Sequence, residues 1–571
     1  MSSLKSSSLE GEIKPPHLSP STSFPEEYNL DRIETSDSHD FVSPFQGHTR
    51  NDHRDMMRMG KDQEFVVRLR FRYLKILHPV QGPIDEITSK SAVENVSPGS
   101  SSESLNRARR HMGVYVGYRS QEQGLADGGI AGLFWSYLWT FIGFGFCMCS
   151  LAEMASMAPI SGGQYHWVSE FASPSCQKAL SYFTGWMSVL AWQAGAASGP
   201  FLAGTLVQGL IVINLPDYEP VRWHGTLLVC AMAFLIYVFN VWFAQAMPML
   251  QNVLFVVHVL TFMVIIIVLW TLAPLNTPQT VFTAFTDRGG WPSMGLSLMV
   301  GQISAIYGSL TSDAAAHMAE EVRDASRQVP LAMAWGYFIN CIMALILLVT
   351  YLFALPSVED AIRNPSIFPF LYVFGNAVSP TVVTIITSLI FILVVSSNIS
   401  FGAAASRQTF SFARDQGLPF AKWLAAVDKT KHLPTNAILF TCICTSLASL
   451  IYIGVEVAFN VIITLYVSAL ATTYVFSIGS VLYQRIYHPD KVPPARWSLG
   501  KIGGPIVNVI ALLYALFAFF WSFWPNTRNV TAKTFNWGGV MFVIVAIASI
   551  IMYLAQGRKV YKAPVSTVAG R

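Results

Sequence analysis

Charged residues are scarce in this chain. Of its 571 residues only 12% are charged, whereas 53% are hydrophobic and 13% are aromatic. A soluble globular domain carries roughly 25% charged residues, so the composition excludes an ordinary soluble domain. The apolar residues lie in blocks of about 20, the length at which a helix spans a hydrocarbon core roughly 30 Å thick. The sequence therefore predicts an all-α, polytopic membrane protein.

Several functional signatures are also missing. Short strands of alternating polarity, typical of membrane β-barrels, are absent, and no cysteine pair has the spacing of a metal or redox motif. We find no nucleophile–base–acid set and no phosphate-binding loop. The net charge of +4 is small and spread over loops, which argues against a nucleic-acid partner. We therefore expect no enzyme, no cofactor and no metal, and any transport would be driven by a gradient.

Eleven apolar blocks follow a long polar segment. Residues 1–125 are rich in Ser, Pro and charged side chains and are expected to be a mostly disordered cytoplasmic tail. Residues 126–556 form the predicted transmembrane domain, and 557–571 a short cytoplasmic tail. The blocks are 130–154, 180–213, 225–244, 249–273, 293–317, 331–354, 379–403, 435–454, 458–482, 504–524 and 537–555.

Basic residues predict the orientation of these spans. Lys and Arg concentrate in loops 404–434 and 483–503 and in the tail after 555, and two spans separate each of these regions from the next. Short loops rich in Lys and Arg face the cytoplasm. The C-terminus is therefore predicted to be cytoplasmic. The sequon at Asn529 then falls in an outer loop, where glycosylation is allowed.

The same count produces a conflict at the N-terminus. With a cytoplasmic C-terminus, eleven spans would leave residues 1–125 outside the cell. That segment has no cleavable signal peptide, and it carries Arg107, Arg109 and Arg110 close to the first span. The positive-inside rule therefore places it in the cytoplasm. One missing span would reconcile the two results.

A broken helix is expected in block 293–317. Before its acidic residue, Asp313, the small and polar residues are Tyr307, Gly308, Ser309, Thr311 and Ser312. An acidic side chain inside a membrane is costly and by default marks a functional site, and interrupted helices expose backbone groups that bind charged solutes. We expect the second half-helix to begin with Thr311 or Ser312 as its N-cap. The alternative is an interfacial Asp313, with Glu320 and Glu321 as solvated charges.

Two further stretches place polar residues inside spans. Block 379–403 contains Ser396, Ser397 and Asn398, and block 180–213 contains Trp192 and Gln193 within a stripe of small residues. Close helix packing with interhelical hydrogen bonds accounts for such residues. A substrate site is the other interpretation.

Three motifs resemble one transporter family. They are LAEMASMAPISGGQYHWVSEFA at 151–172, SDAAAHMAEEVRDASRQVP at 312–330 and SRQTFSFARDQGLPF at 406–420. These are similar to the fungal amino acid/choline branch of the amino acid–polyamine–organocation permeases, which includes GABA permeases and choline transporters. The resemblance extends from about Gly124 to the C-terminus.

The resemblance implies a fold and a site. It implies twelve spans on a five-plus-five inverted repeat, alternating access, and a substrate held at mid-membrane between broken helices one and six. The implied substrate-binding residues are Trp192, Gln193, Tyr307, Gly308, Ser309, Thr311, Asp313, Ser396, Ser397 and Asn398. Glu320 and Glu321 match the cytoplasmic end of the sixth helix, where they would form a gate. The implied partners are a small amino acid or amine such as GABA or choline, H⁺ as coupling ion, and the lipid bilayer, with the plasma membrane favoured over the vacuole.

The chain departs from this family at its first helix. GLADGGIAGLFW, 124–135, corresponds to the turn into the second helix, and SLNRARRHMGVYVGYRSQEQ, 104–123, stands where the first should be but is too polar to span. We hypothesise that this helix was lost through gene decay, alternative splicing or an exon prediction error, leaving about eleven of twelve spans. A permease-like nutrient sensor and a non-functional remnant are the alternatives to an active transporter.

Overall fold

The computed structural model describes residues 123–564, apart from 216, 311, 364–367, 455–457 and 533. The expected N-terminal tail and the missing first helix therefore lie outside the described residues, as does Thr311. Within the described part the chain is helical, with one isolated antiparallel backbone bridge between Asp127 and Asp287.

In the part of the chain that the structure describes, we number fourteen helices. In chain order they are α1 (Gly129–Met157), α2 (Gln164–Phe171), α3 (Gln177–Asn214), α4 (Arg222–Trp242), α5 (Met247–Leu272), α6 (Met294–Gly301), α7 (Ile303–Ser309), α8 (Ala314–His317), α9 (Ala325–Ala354), α10 (Pro380–Arg414), α11 (Thr435–Gly454), α12 (Ala458–Tyr487), α13 (Gly503–Trp521) and α14 (Trp537–Met552). Shorter helical segments connect them at Ala244–Ala246, Pro278–Thr283, Ala319–Glu321, Val358–Arg363, Pro369–Ala377, Ala421–Leu424, Pro489–Lys491, Tyr553–Gly557 and Arg558–Val560.

Ten predicted blocks correspond to long helices. Within the described residues, ten helices are long and apolar enough to cross a membrane. The eleventh block, 293–317, consists of the short helices α6, α7 and α8, with non-helical backbone between Ser309 and Ala314. The prediction of an all-helical, polytopic fold with one interrupted span is confirmed.

The predicted N-cap of the second half-helix was wrong. The helical turn begins only at Ala314, and Asp313 occupies the N-cap position, while Ser312 lies in the connecting turn. Aspartate is as favourable as serine at this position. Here, however, the Asp313 side chain makes no capping bond to the helix, because its carboxylate turns towards a neighbouring helix instead.

The centre of the bundle is formed by α3 and α12, which pack against each other. Helix α3 also packs against α10, where Phe412 fills the space beside Gly185 so closely that no larger residue fits there. Small residues permit such close approach of spanning helices. Helix α1 packs against α9 and α13.

The outer surface of the bundle is apolar. Exposed hydrophobic side chains include Met249 and Leu260 on α5, Leu513 on α13 and Ile551 on α14. In water such a surface would be a site for association. In a bilayer it faces hydrocarbon, while the helices satisfy their own backbone hydrogen bonds.

The two ends of the bundle differ in chemistry. We call them the Asp127 end and the Arg414 end. At the Asp127 end, the backbone N–H of Arg528 donates to the carbonyl of Gly289, and the nearby Asn529 is exposed. The Arg414 end holds buried ion pairs, among them Arg485–Glu153 with an N–O distance of 2.6 Å. It is also the end that the basic loops predict to be cytoplasmic.

The last described residues fold back onto the Arg414 end. The buried Tyr561 hydroxyl lies 2.7 Å from Ser181 Oγ of α3, and its ring packs against Phe412 of α10. The backbone N–H of Lys562 donates to the carbonyl of Asp415. This segment therefore contacts both α3 and the end of α10.

Candidate functional site

The break between α7 and α8 lies in the core of the bundle. Just before it, the Tyr307 hydroxyl donates to Ser198 Oγ of α3 at 2.8 Å, and the Tyr307 ring packs edge-on against Tyr466 of α12. The Ser309 hydroxyl donates back to the carbonyl of Ala305 in its own helix. Beside Gly308 there is open space, with no described atom from outside its own helical turn within 4 Å of where a Cβ would lie. The break thus combines fixed aromatic side chains with local free volume.

Asp313 is completely buried at this break. Its Oδ2 accepts a hydrogen bond of 2.7 Å from Nε2 of Gln164. Gln164 is the first residue of α2. The hydroxyl of Tyr474 on α12 lies close to the same carboxylate. A buried carboxylate is costly unless it is hydrogen-bonded and its charge is balanced, so Asp313 is a strong candidate for binding a cation.

A histidine missed by sequence reasoning lies one turn after Asp313. The Nδ1 atom of His317 is 2.8 Å from the carbonyl oxygen of Ser161, and its ring packs edge-on against Trp192 with a centroid distance of 4.6 Å. His317 is fully buried. The spacing of four residues places Asp313 and His317 on the same side of a helix, a signal that was available in SDAAAH.

The other predicted residues divide into two groups. Trp192 belongs with the break, because its ring lies between His317 and Phe401. Gln193 instead faces away, and its Nε2 donates to the hydroxyls of Thr409 and Thr441 at 2.9 and 3.1 Å.

The predicted residues of α10 make helix-packing contacts. Asn398 Nδ2 donates to the carbonyl of Val394 at 2.8 Å, and its side chain lies directly against Gly199 of α3. The backbone carbonyl of Ser396 accepts a 3.4 Å hydrogen bond from Gln251 of α5, and Ser397 is buried in the same helix. These contacts join α10 to α5 and α3, and they do not involve Asp313.

Two ion pairs, which we call the latch, join the end of the broken helix to α10. Arg414 Nη1 and Nη2 donate to the two oxygens of Glu320, each at 3.1 Å. Arg407 Nε donates to Glu321 at 2.9 Å. Glu320 is buried and Glu321 is nearly so. The alternative in which both are solvated surface charges is therefore wrong, because each carboxylate is held by an arginine of α10.

The turn between α1 and α2 connects the break to the latch. The backbone N–H and the hydroxyl of Ser161 both donate to Glu320 Oε1. The carbonyl of the same residue contacts His317, and Gln164 at the end of the turn contacts Asp313. Hydrogen bonds therefore run from His317 through Ser161 and Glu320 to Arg414, and the same turn contacts Asp313 through Gln164.

These features define a class of protein. A bundle of ten long apolar helices around one interrupted span, with a buried carboxylate at the interruption, is the architecture of a multi-pass membrane transporter with a discontinuous helix.

The chain belongs to the amino acid permease family, whose model matches residues 109–547, more than half of the sequence. An amino acid/polyamine transporter of Macrophomina phaseolina is 25% identical, covering 72% of this chain and 92% of that protein. An amino-acid permease of Schizosaccharomyces pombe is 27% identical, covering 77% and 80%.

A choline transporter of Saccharomyces cerevisiae is 25% identical, covering 72% of this chain and 73% of that protein. Among solved structures, a manganese transporter of Eremococcus coleocola aligns with a TM-score of 0.46 at 14% identity, over 83% of this chain and 98% of that one. The family match and these relatives together support membrane transport of amino acids or organocations.

Proposed function

We propose that this chain is a secondary transporter of a small amine-bearing solute, such as an amino acid, GABA or choline. It works by alternating access in the plasma membrane, coupled to protons, with its C-terminus in the cytoplasm. The observation that carries the proposal is the completely buried carboxylate of Asp313 at the interruption of a spanning helix. The amino acid/polyamine and choline transporters among its relatives support this substrate class.

The chemistry of the break suits an ammonium group. The amide of Gln164 is neutral, so its hydrogen bond orients the Asp313 carboxylate without neutralising the charge. A substrate ammonium at this carboxylate would form a charge-assisted hydrogen bond, the stronger kind, in the buried core of the bundle. For a quaternary amine, the rings of Trp192 and Tyr307 would add cation–π attraction.

Space and access also favour this location. The open volume beside Gly308 adjoins the break. A small cavity on the Asp127 side of Tyr307, lined in part by Ser304, Asn460 and Asn526, supports entry from that end. The predicted orientation makes this the extracellular side.

The latch is the proposed cytoplasmic gate. Glu320 and Glu321 follow α8 directly, whereas their partners Arg414 and Arg407 belong to α10. A pathway from Asp313 to the Arg414 end would open between these elements, so both ion pairs would have to separate. In alternating access, the two ion pairs of the latch would be formed while the cytoplasmic side is closed. They would separate when that side opens to release the substrate bound at the helix break.

Uptake measurements test the proposal. Radiolabelled GABA, choline and a panel of amino acids would be offered to permease-deficient yeast expressing this chain or a version with a restored first helix. We expect uptake of at least one amine, reduced about tenfold or more by Asp313→Asn, since that change removes a charge from a buried site. Asp490→Asn makes the same chemical change at an exposed position and should leave uptake unaltered.

The outcomes separate the candidate functions. Unchanged uptake in Asp313→Asn, at equal surface expression, would remove this carboxylate from the mechanism. Binding of an amine without flux would indicate a nutrient sensor. Neither binding nor uptake by a chain that reaches the membrane would indicate a non-functional remnant.

A further inference from the structure

The contact between His317 and Ser161 determines where the histidine carries its hydrogen. A carbonyl oxygen can only accept, so Nδ1 of His317 must be the N–H that donates to Ser161 at 2.8 Å. The neutral ring therefore has its lone pair on Nε2. Uptake of a proton occurs at that atom, converts the ring to imidazolium and leaves the Nδ1–H bond in place.

The surroundings of His317 favour the charged ring. Asp313 lies one helical turn earlier, at the spacing of stabilising opposite charges. The ring of Trp192 lies at a centroid distance of 4.6 Å, within the range of cation–π attraction. Burial of His317 favours the neutral ring. The surroundings therefore contain both groups that favour protonation of His317 and an environment that opposes it.

The turn that contacts His317 is built for close approach. Gly163 has a φ of +56°, a conformation that L side chains rarely adopt, and a Cβ there would lie 2.7 Å from Cε1 of His317. Only glycine lets the turn come this near. The position of Ser161 is consequently fixed against the imidazole.

Ser161 also belongs to the latch. Its N–H and hydroxyl hold Glu320 Oε1 while its carbonyl holds His317, so one residue bridges the histidine and the Glu320–Arg414 ion pair. A hydrogen bond from imidazolium is roughly twice as strong as one from neutral imidazole. The charge on His317 therefore changes how firmly Ser161, and with it Glu320, is held.

We propose that His317 is the proton-binding residue of this transporter, and that Ser161 conveys its protonation state to the latch. This rests on the proposed function. With His317 protonated, Ser161 is held and the latch stays closed. When Nε2 releases its proton to a water molecule admitted at the break, the bond from Nδ1 to Ser161 weakens and the latch opens more readily.

Other charged and titratable groups surround the broken helix, and their charges also influence the protonation of His317. From the elements in contact with α8 and its flanking turns they are Glu320 and Glu321 on the same stretch, His166 and Glu170 of α2, Arg327 of α9, Arg407 and Arg414 of α10, and Tyr466 and Tyr474 of α12. Both glutamates after α8 are paired with an arginine of α10.

Trp192 provides a direct readout of His317 protonation. Imidazolium quenches the fluorescence of a tryptophan that it touches, whereas neutral imidazole does so weakly. The full chain in lipid nanodiscs would be titrated between about pH 8 and pH 5, the range in which histidine changes charge. Trp192→Phe serves as the baseline for the chain's 15 tryptophans. We expect the fluorescence contributed by Trp192 to decrease as the pH is lowered. In His317→Asn this contribution should stay constant over the same pH range.

The variant and its control are chosen to keep the geometry. Asparagine at 317 can place its Nδ2 near the position of Nδ1 and still donate to Ser161, but it cannot take up a proton. His166→Asn alters another buried histidine and should retain the Trp192 titration. A Trp192 component that does not change with pH, or one that persists in His317→Asn, would overturn the proposal whether or not the chain transports.

Flux measurements separate this inference from the proposed function. In proteoliposomes, His317→Asn should lower pH-gradient-driven uptake of labelled choline or GABA about tenfold or more, while equilibrium exchange continues. Wild-type flux with an unaltered pH-gradient response in His317→Asn would refute the role of His317 alone. Flux that is indifferent to the pH gradient in the wild type would refute proton coupling as well, and absence of any flux or binding would refute the proposed function itself.

Discussion

At the scale of single residues, Asp127 shows how a buried charge is set by its neighbours. Its side chain is only 1% exposed, beside Gly289 and Trp291. Asp287, joined to it by the backbone bridge, accepts from the N–H of Trp291 and from the hydroxyl of Ser297 in α6. Burial first, and then the charge of Asp287, raise the pKa of Asp127 to about 7. The Asp127 end therefore holds a carboxyl group that changes charge near neutral pH.

We expect Asp127→Asn to stabilise the protein at about pH 8 and not at about pH 5. The folded-state pKa is above the unfolded value, so the ionised form is disfavoured by folding and stability falls as pH rises between about 4 and 7. Asparagine removes a penalty on the order of 4 kcal/mol, equivalent to the rise of the Asp127 pKa from 3.8 to about 7, that exists only where Asp127 is ionised. Thermal unfolding of the purified chain at the two pH values measures this difference.

Asp428 supplies the matched control. Hydrogen bonds from Thr430 and Lys431 lower its pKa to about 2, so it stays ionised across the whole range tested. Asp428→Asn should therefore shift the unfolding temperature equally at both pH values. An Asp127→Asn variant that is destabilised equally at both would contradict the raised pKa.

At the scale of elements, the latch fastens the end of the broken helix to α10. Glu320 is 99% buried at its side chain and Arg414 is 12% exposed. Removing one member of a buried ion pair leaves an uncompensated charge, at a cost of about 3–5 kcal/mol. Loss of either Glu320 or Arg414 therefore removes the ion pair between the broken helix and α10 and leaves the other charge unbalanced.

We expect Arg414→Gln to lower the unfolding temperature strongly, and Glu320→Gln with Arg414→Gln to cost less than the sum of the single changes. Arg496→Gln is the control, since its partner Asp324 and the arginine itself are partly exposed and such pairs contribute about 0–1 kcal/mol. A double-mutant cycle on thermal unfolding measures the coupling. Strict additivity would show that the Glu320–Arg414 pair is not a unit.

The sequence predicted the elements better than their contacts. All eleven apolar blocks and the interruption near Asp313 follow from hydropathy and from the cost of a charge in a membrane. The contacts of the site could not be read in this way. His317 meets Ser161 and Glu320 meets Arg414 across 156 and 94 positions of sequence. Gln193 illustrates the same limit, because nothing local indicates that it faces Thr409.

At the scale of the whole molecule, orientation and the number of spans are linked. The described helices place Asn529 in an exposed loop at the Asp127 end, opposite the end that contains the latch. Asn398-Ile399-Ser400 is also a sequon, but its asparagine is buried within α10. A third sequon, Asn95-Val96-Ser97, lies in the N-terminal segment that the basic residues predict to be cytoplasmic. The sequons at Asn529 and Asn95 therefore report on the two sides of the membrane.

We expect the mature protein to carry glycan on Asn529 and not on Asn95. Glycosidase treatment should increase gel mobility, and Asn529→Gln should abolish that change because the sequon no longer has its acceptor amide. Asn95→Gln is the matched control and should leave the mobility shift intact. Glycan on Asn95 would place the N-terminal segment outside and would remove the parity conflict without a missing helix.

The buried Tyr561 bears on how the tail could influence transport. Its hydroxyl holds α3 through Ser181, and the next residue, Lys562, holds the backbone just beyond α10. Tyr561 and Lys562 therefore connect α3 to the end of α10. A motion that separated these two helices at the Arg414 end would have to break one of the two hydrogen bonds, so this segment would limit how far that end can open.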